Sequence, residues 1–489
     1  MTIVHVIGIL ATIALIMGVG YLSGRNVKDS KSFTTGGTNG GWTVCGAILG
    51  TLISGQATVG SAQLAFAYGI SAWWFTLGAA FGCVLLALAY LKPLRSSGCS
   101  TLLEVVNREY GAKAETVGSL LCFIGIFISI IAQIIASSAM ITSLFGMRFI
   151  WAALIAIVLM ATYVVFGGIK GAGIGGIVKL VLLYISAIVS GIVVLKLGDG
   201  FGGIMGSVKA QLNNSTMLDM NMLTGMDDVD HRYKSFFARG PLNDLGSCIS
   251  LMLGVIATQT YAQAVWSAKS NKEARKGSLL SALLIPPIGA ACVMVGIYMR
   301  GHYVTEAEVE ALTTAGMAIP EGVGVLQNSA QAFPTFVLNH LPAWLGGIVL
   351  GTLLVTVIGG GSGLSLGAAT ILVRDVFSNF NKKVMNNLWV MRGTILGILI
   401  LGVVSSAMFD GAFINDLGFL SLGLRATAVL IPLSLALWAP GKFKSGFALA
   451  SMIGGTAMML AAKFLALPAD PVFWGLGVGL LIIAFGRKK

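Results

Sequence analysis

The sequence predicts an all-α integral membrane protein with about thirteen transmembrane helices, its centre built from two inverted five-helix halves. Three observations predict it. The first is composition: 489 residues, 56% hydrophobic and only 10% charged, with a mean hydropathy of +0.89. No soluble domain of this size hides so much apolar surface. The second is an uneven distribution of basic residues among the loops. The third is a pair of polar, glycine-broken spans placed five spans apart.

A span needs about 20 apolar residues. Thirteen segments qualify: 3–23, 42–69, 71–91, 115–145, 149–166, 175–197, 244–266, 277–299, 335–373, 388–408, 414–437, 445–466 and 470–486. The first has neither a basic region before it nor a small-residue cleavage site after it, so it is expected to stay as a helix. Two loops are long, 198–243 and 300–334. Neither is large enough for a separate catalytic domain, and residues 1–489 read as one polytopic domain.

The net charge of +12 does not imply nucleic acid, because the bases are scattered among short loops. With the N-terminus outside, the inner loops collect Arg25, Lys28, Lys31, Lys92, Arg95, Arg108, Lys113, Lys170, Lys269, Lys272, Arg275 and Lys276. They also collect Arg374, Lys382, Lys383, Lys442, Lys444, Arg487, Lys488 and Lys489, making 20 of the 31 bases. The outer loops hold six: Arg148, Lys209, Arg232, Lys234, Arg239 and Arg300. This bias predicts an N-out, C-in protein of the cytoplasmic (inner) membrane, with both long loops outside.

Catalytic signatures are missing from the sequence. It has no P-loop, no HExxH and no paired histidines, since His5, His231, His302 and His340 stand near span ends or in outer loops. The six cysteines show no metal-binding spacing and read as small apolar fillers. An enzyme is not expected, and no cofactor is implied. A channel or a transporter remains.

The interrupted spans choose between them. LGTLISGQATVGSAQLAFAYG places Gly50, Ser54, Gly55, Gln56, Thr58, Gly60, Ser61 and Gln63 where hydrocarbon should be. GVIATQTYAQAVW does the same with Thr258, Gln259, Thr260, Tyr261 and Gln263. Polar, broken backbone is tolerated at membrane depth where it is buried in protein or lines a cavity. Residues 42–197 and 244–437 then form two halves, each opening with a broken helix, which points to a secondary transporter with inverted repeats. The symmetric pore loops or charge rings of a channel do not occur.

Several stretches, in order over residues 3–440, resemble the sodium:solute symporter family. GGWTVCGAILGTLISGQATVG through AYGISAWW resembles its first core helix and exit, and TLLEVVNREYG the segment before the third. YVVFGGIKG resembles the turn before the fifth. TYAQAVWSAKSNKEARKGSLLSALL resembles the sixth running into its loop, and LGAATILVRDVF the end of the eighth. The resemblance implies a LeuT-type core of five plus five helices, one helix before it and two after, and sodium-driven uptake of a small solute.

It also implies a sodium site where the broken first core helix faces the eighth. Carbonyls would come from Gly50, Ile53 and Thr356. The two hydroxyl-bearing positions of the family fall on Gly359 and Gly360, inside VTVIGGGSGLSL. On the fifth core helix this chain reads GGIKGAGIGGIVK, so the family's Thr-Asp becomes Gly175-Gly176 and its Gln becomes Lys179. A hard cation wants about six oxygens, and these changes remove several. Three readings stay open. Lys179 snorkels to the interface, its ammonium replaces the cation in a sodium-independent or proton-coupled carrier, or Ser362 and Ser365 rebuild a sodium site.

Candidates for the solute pocket are Gln56, Thr58, Gln133, Ser137, Ser138, Gln259 and Tyr261, each of which could instead bond between helices. Arg425 is an intramembrane charge, a feature that marks function, in substrate contact, or a local pairing with Asp416 or with helix carbonyls near one face. The aromatic pair of sugar-binding relatives appears as Gly254-Val255, which favours an amino-acid-like or organic-acid solute. A membrane sensor without flux is the alternative of another class. The expected partners are the solute, a coupling cation (Na⁺ by resemblance, or H⁺) and the bilayer. The oligomeric state is left open by the sequence.

Overall fold

Glycine and polar residues end helices where apolar runs alone would continue them, and this decides the architecture. The computed structural model describes residues 1–24, 39–99, 101–213, 215–317, 322–377, 388–409 and 411–488. The expectations for Arg25, Lys28, Lys31, Lys382, Lys383 and Lys489 lie outside these residues. Those for Lys170, Gly175, Gly176 and Arg374 lie outside the described side chains.

The first helix, α1, is Ile3–Gly24. The second span begins as α2, Gly41–Leu52, and stops where Ile53 turns to extended backbone (φ −87°, ψ 97°). Helical backbone resumes as a wide turn over Gln56–Gly60 and then α3, Ser61–Tyr68. Gly69 ends it in left-handed conformation (φ 59°), with the backbone of Tyr233 packed against the face where a side chain would stand. The next span opens with α4, Trp74–Leu85.

An amphipathic helix α5, Leu102–Tyr110, capped by the Thr101 hydroxyl, leads into α6, Ala112–Phe145. Next comes α7, a run of helix over Phe149–Leu197. The expected turn between the fifth and sixth spans, at YVVFGGIKG, is therefore corrected: helical backbone continues through it. Glycine weakens a helix but keeps its N–H, so only proline would have removed a hydrogen bond there.

In the second half, α8 (Pro241–Ile256) and α9 (Gln259–Trp266) form the second broken span, bent by 46°. Then follow α10 (Asn271–Arg300), α11 (Glu306–Thr314) in the second long loop, α12 (Ala343–Ile371), α13 (Leu388–Ala407) and α14 (Ile414–Arg425). Finally α15 (Ser445–Phe464) and α16 (Pro471–Ala484) pair with each other. Among the described residues, eight helices are long and apolar enough to cross a membrane, nine with the bent pair, and four further apolar helices are shorter. The full thirteen is not reached by length alone, because breaks such as Ile53–Gly55 cut spans into pieces.

Both breaks lie in the core. α2 packs on α7, α10 and α12, α6 packs on α12 and α14, and α8 packs on α4 and α14. The two long loops share one side of the bundle.

Candidate functional site

A broken helix leaves backbone groups without partners, so the first question is what satisfies them. At the first break the answer is Gln133 of α6. Its Oε1 accepts from the Gly55 amide at 3.0 Å and its Nε2 donates to Ser54 Oγ at 2.8 Å. Gly55 is forced by this close approach. A Cβ there would lie 2.8 Å from Gln133 Oε1 and from Ala136 Cβ, and 2.9 Å from Val357 of α12.

One helical turn before the break, the Gly50 carbonyl accepts a hydrogen bond from Lys179 Nζ of α7 at 2.9 Å. Lys179 is only 5% exposed, so the snorkelling reading is set aside. The glycines of α12 stand across the break. A Cβ on Gly360 would fall 2.6 Å from Ser54 Cβ, so packing requires that residue to be small, whereas one on Gly361 would meet the flexible end of Met160 at 2.6 Å. Gly359 differs: its nearest neighbours, atoms of the Tyr163 ring, begin at 3.7 Å. Packing leaves room for a side chain there.

The hydroxyls of α12 are taken by backbone carbonyls, of α12 itself and, for Ser362, also of Met160 in α7. Thr356 donates to Thr352 O, Ser365 to Gly361 O, and Ser362 to Ile358 O and Met160 O, all at 2.7–2.9 Å. Thr58, Ser137 and Ser138 likewise bond carbonyls four residues earlier. Gln259 lies elsewhere, its Oε1 accepting from the Leu102 amide at the start of α5. Tyr261 is buried. Gln56 is buried too, and its Nε2 has no partner among the described residues. On the facing α14 the buried Asn415 leaves Oδ1 unpartnered, while its amide reaches Ser61. The geometry thus gathers Gln133 with the first break and the α12 glycines, turns Gln56 toward Gly418 of α14, keeps Thr58 on Ser54 of its own helix, and sets Gln259 apart.

The second break holds the other buried base. Arg425, 3% exposed, donates from Nη1 to Thr258 Oγ1 at 2.9 Å. Its Nη2 reaches Ser421 Oγ at 2.8 Å and Ser129 Oγ at 3.3 Å, and Nε reaches Ser421 O at 3.2 Å. Of the two local partners expected, the helix carbonyl is found, at Ser421 O, while Asp416 instead accepts from Arg239 at 3.0 Å. Sequence reasoning missed Ser129, Ser421 and Asn415, and only polarity inside an apolar span could have flagged them.

The profile of the sodium:solute symporter family matches residues 32–480. The uncharacterized symporter YwcA of Bacillus subtilis is 26% identical over 380 residues, covering 76% of this chain and 68% of the relative. Among solved structures, a Na⁺-coupled sialic acid symporter in a substrate-bound, outward-open state superposes with a TM-score of 0.73 at 14% identity, covering 100% of this chain and 99% of its own. The nucleobase-cation-symport-1 family transporter Mhp1, closed around a hydantoin, gives 0.53 at 13% identity, covering 91% and 92%. These likenesses show a LeuT-type transporter fold.

Proposed function

Because the chain belongs to the sodium:solute symporter family, and is thereby a multi-pass secondary solute transporter, we propose that it imports a small organic solute without sodium, the Lys179 ammonium standing where the family's ion would sit. One observation carries the reading: the Lys179–Gly50 hydrogen bond of 2.9 Å. A carbonyl implied as a sodium ligand is taken by a fixed cation, and Gly359 brings no hydroxyl although space for one exists. Gain and loss of the Lys179 proton is then the coupled event.

The solute is amino-acid-like or an organic acid, held near the first break. The unpartnered Gln56 Nε2 and Asn415 Oδ1, a donor and an acceptor buried between two core helices, support that placement. The two halves are residues 42–197 and 244–437, and the N-terminus lies outside an inner membrane.

Family membership favours a second reading, sodium symport at a site rebuilt with Ser362 and Ser365. Proteoliposomes separate the two. Solute counterflow should persist when choline replaces sodium and should collapse in Lys179→Gln. A steep sodium dependence in the wild type would overturn the proposal. Binding without exchange for every solute tried would point to a sensor.

A further inference from the structure

A helix that lines a water path shows a polar, solvent-reached face at membrane depth, because polar groups there avoid lipid. The first core helix differs in this respect between its two halves. Residues 56–66, its long-loop half, are buried throughout, and Gln63 holds them to Ala412 and to Ile414 of α14. In α2, across the break, Thr43, Ala47 and Thr51 are half-buried at every fourth position. Thr51 looks at α12, its Cγ2 3.9 Å from where a Cβ of the exposed Gly363 would stand. On α9, Thr260 is exposed and Gln263 half-buried. These faces belong to the ends of α2, α9 and α12 that point away from the long loops. The structure is therefore closed on the long-loop side and open to water on the other.

Two bodies border this crevice. α9 is tied to the first: Trp266 Nε1 donates to Leu94 O at 2.9 Å, and Arg95 Nη1 to Val265 O at 2.7 Å and Ala268 O at 2.9 Å. Asn39 Nδ2 donates to Ser267 Oγ at 3.0 Å, and the Gly41 amide that opens α2 donates to Glu273 of α10 at 2.6 Å. α5 goes with the second body, packing on α6, on the helix Ile431–Trp438 and on α15. Gln259 spans the two, its Oε1 accepting from the Leu102 amide at 2.8 Å. That amide is one of the orphan donors of a helix N-terminus, which a side-chain oxygen satisfies. We propose that Gln259, expected from sequence to meet the solute, is instead a positioning residue of the transport cycle. It holds α9 to α5 in the state open away from the long loops. Closing the crevice moves the first body against the second, and the bond breaks as it closes. A bond made in one state alone shifts the balance of states by its own strength. The inference rests on the transport that family membership shows, and on neither the sodium-free reading nor the nature of the solute.

Cysteine labelling of the purified full-length protein tests it. Cys99 is replaced by serine, the other five cysteines being buried. Thr51→Cys reports on the crevice and Asn415→Cys on the buried long-loop side, each with a membrane-impermeant maleimide. In Gln259→Leu the ratio of the Thr51→Cys rate to the Asn415→Cys rate should fall about fivefold, the worth of one hydrogen bond. Gln259→Glu, which keeps an oxygen at that place, should restore the wild-type ratio, a rescue that simple loss of packing would not show. Rates that rise together in Gln259→Leu, or a ratio that does not change, would overturn the proposal. So would a Thr51→Cys that fails to react with Gln259 in place, since no water would then reach α2. Solute counterflow run beside the labelling separates the readings. A shifted ratio with no exchange of any solute would overturn transport and not the hold of Gln259 on the open state.

Discussion

Gly8 of α1 and Gly347 of α12 face each other so closely that a Cβ on Gly8 would lie 2.9 Å from the Gly347 Cα. The contact continues where Gly351 meets Ile9 and Thr12. Small residues let backbones approach, which is how helices pack when lipid offers no hydrophobic drive. The first helix is thus fastened to the helix that faces the first break.

Gly347→Ala should therefore destabilise by about 1–3 kcal/mol, the usual cost of overpacking. Gly397→Ala, at an exposed position of α13 with open space around it, should be neutral or gain up to about 1 kcal/mol from helix propensity. Thermal unfolding in one detergent compares them. Equal melting temperatures would show that the close contact carries no weight.

The glycines of VTVIGGGSGLSL divide by the same test. Gly360 is small because Ser54 presses on it, whereas Gly359 has room. Gly359→Ser should fold normally, and Gly360→Ser should not. Joined to Lys179→Gln, which frees the Gly50 carbonyl, Gly359→Ser restores a hydroxyl at one of the two family positions, and uptake by the double variant should become at least about tenfold sodium-dependent, a shift of about 1.4 kcal/mol. A folded double variant that exchanges solute with no response to sodium would refute this assignment of the site.

What could be read in advance follows from the kind of signal each residue carries. The break at Ile53–Gly55 was legible because polar side chains and glycine cannot sit in hydrocarbon without a reason. Helix continuing through YVVFGGIKG was not, because glycine lowers propensity without removing a donor. Gln133 and Gln259 announced polarity but not direction: one closes a gap at Gly55 and the other holds Leu102. The choice among readings of Lys179 depended on where Gly50, 129 residues away, comes to lie. Sequence periodicity holds no information about that distance.

Gln63 clamps the long-loop end of the first core helix. Its Nε2 donates to Ala412 O at 3.2 Å and its Oε1 accepts from the Ile414 amide at 2.8 Å. Gln63→Ala strands both groups, and each stranded group costs about 1–3 kcal/mol when buried. Opening of that side should become easier. With Cys99 replaced by serine, Asn415→Cys should react faster with a membrane-impermeant maleimide when Gln63 is alanine. Unchanged labelling would mean that the clamp does not gate access.

Glu308 of α11 supplies a pH dependence with a definite sign. Its buried carboxylate pairs with Arg300 at 2.8 Å and accepts from the Thr305 amide at 2.9 Å, closing the cap of its own helix. Burial alone would raise the carboxyl, but the Arg300 charge, together with hydrogen bonds from Arg300, Thr305 and Asn221, holds it below its ordinary value. A carboxyl depressed in the folded state stabilises the fold above its unfolded value, near 4.3, and that contribution fades as pH falls through the lower folded value. Wild type should therefore melt above Glu308→Gln at pH 7, with the gap closing below about pH 4. The variant leaves a buried guanidinium unpaired, so the gap at pH 7 should be large, about 3–5 kcal/mol. A gap that stays constant down to pH 3 would mean that the carboxylate charge is not what holds the second long loop to the end of α10.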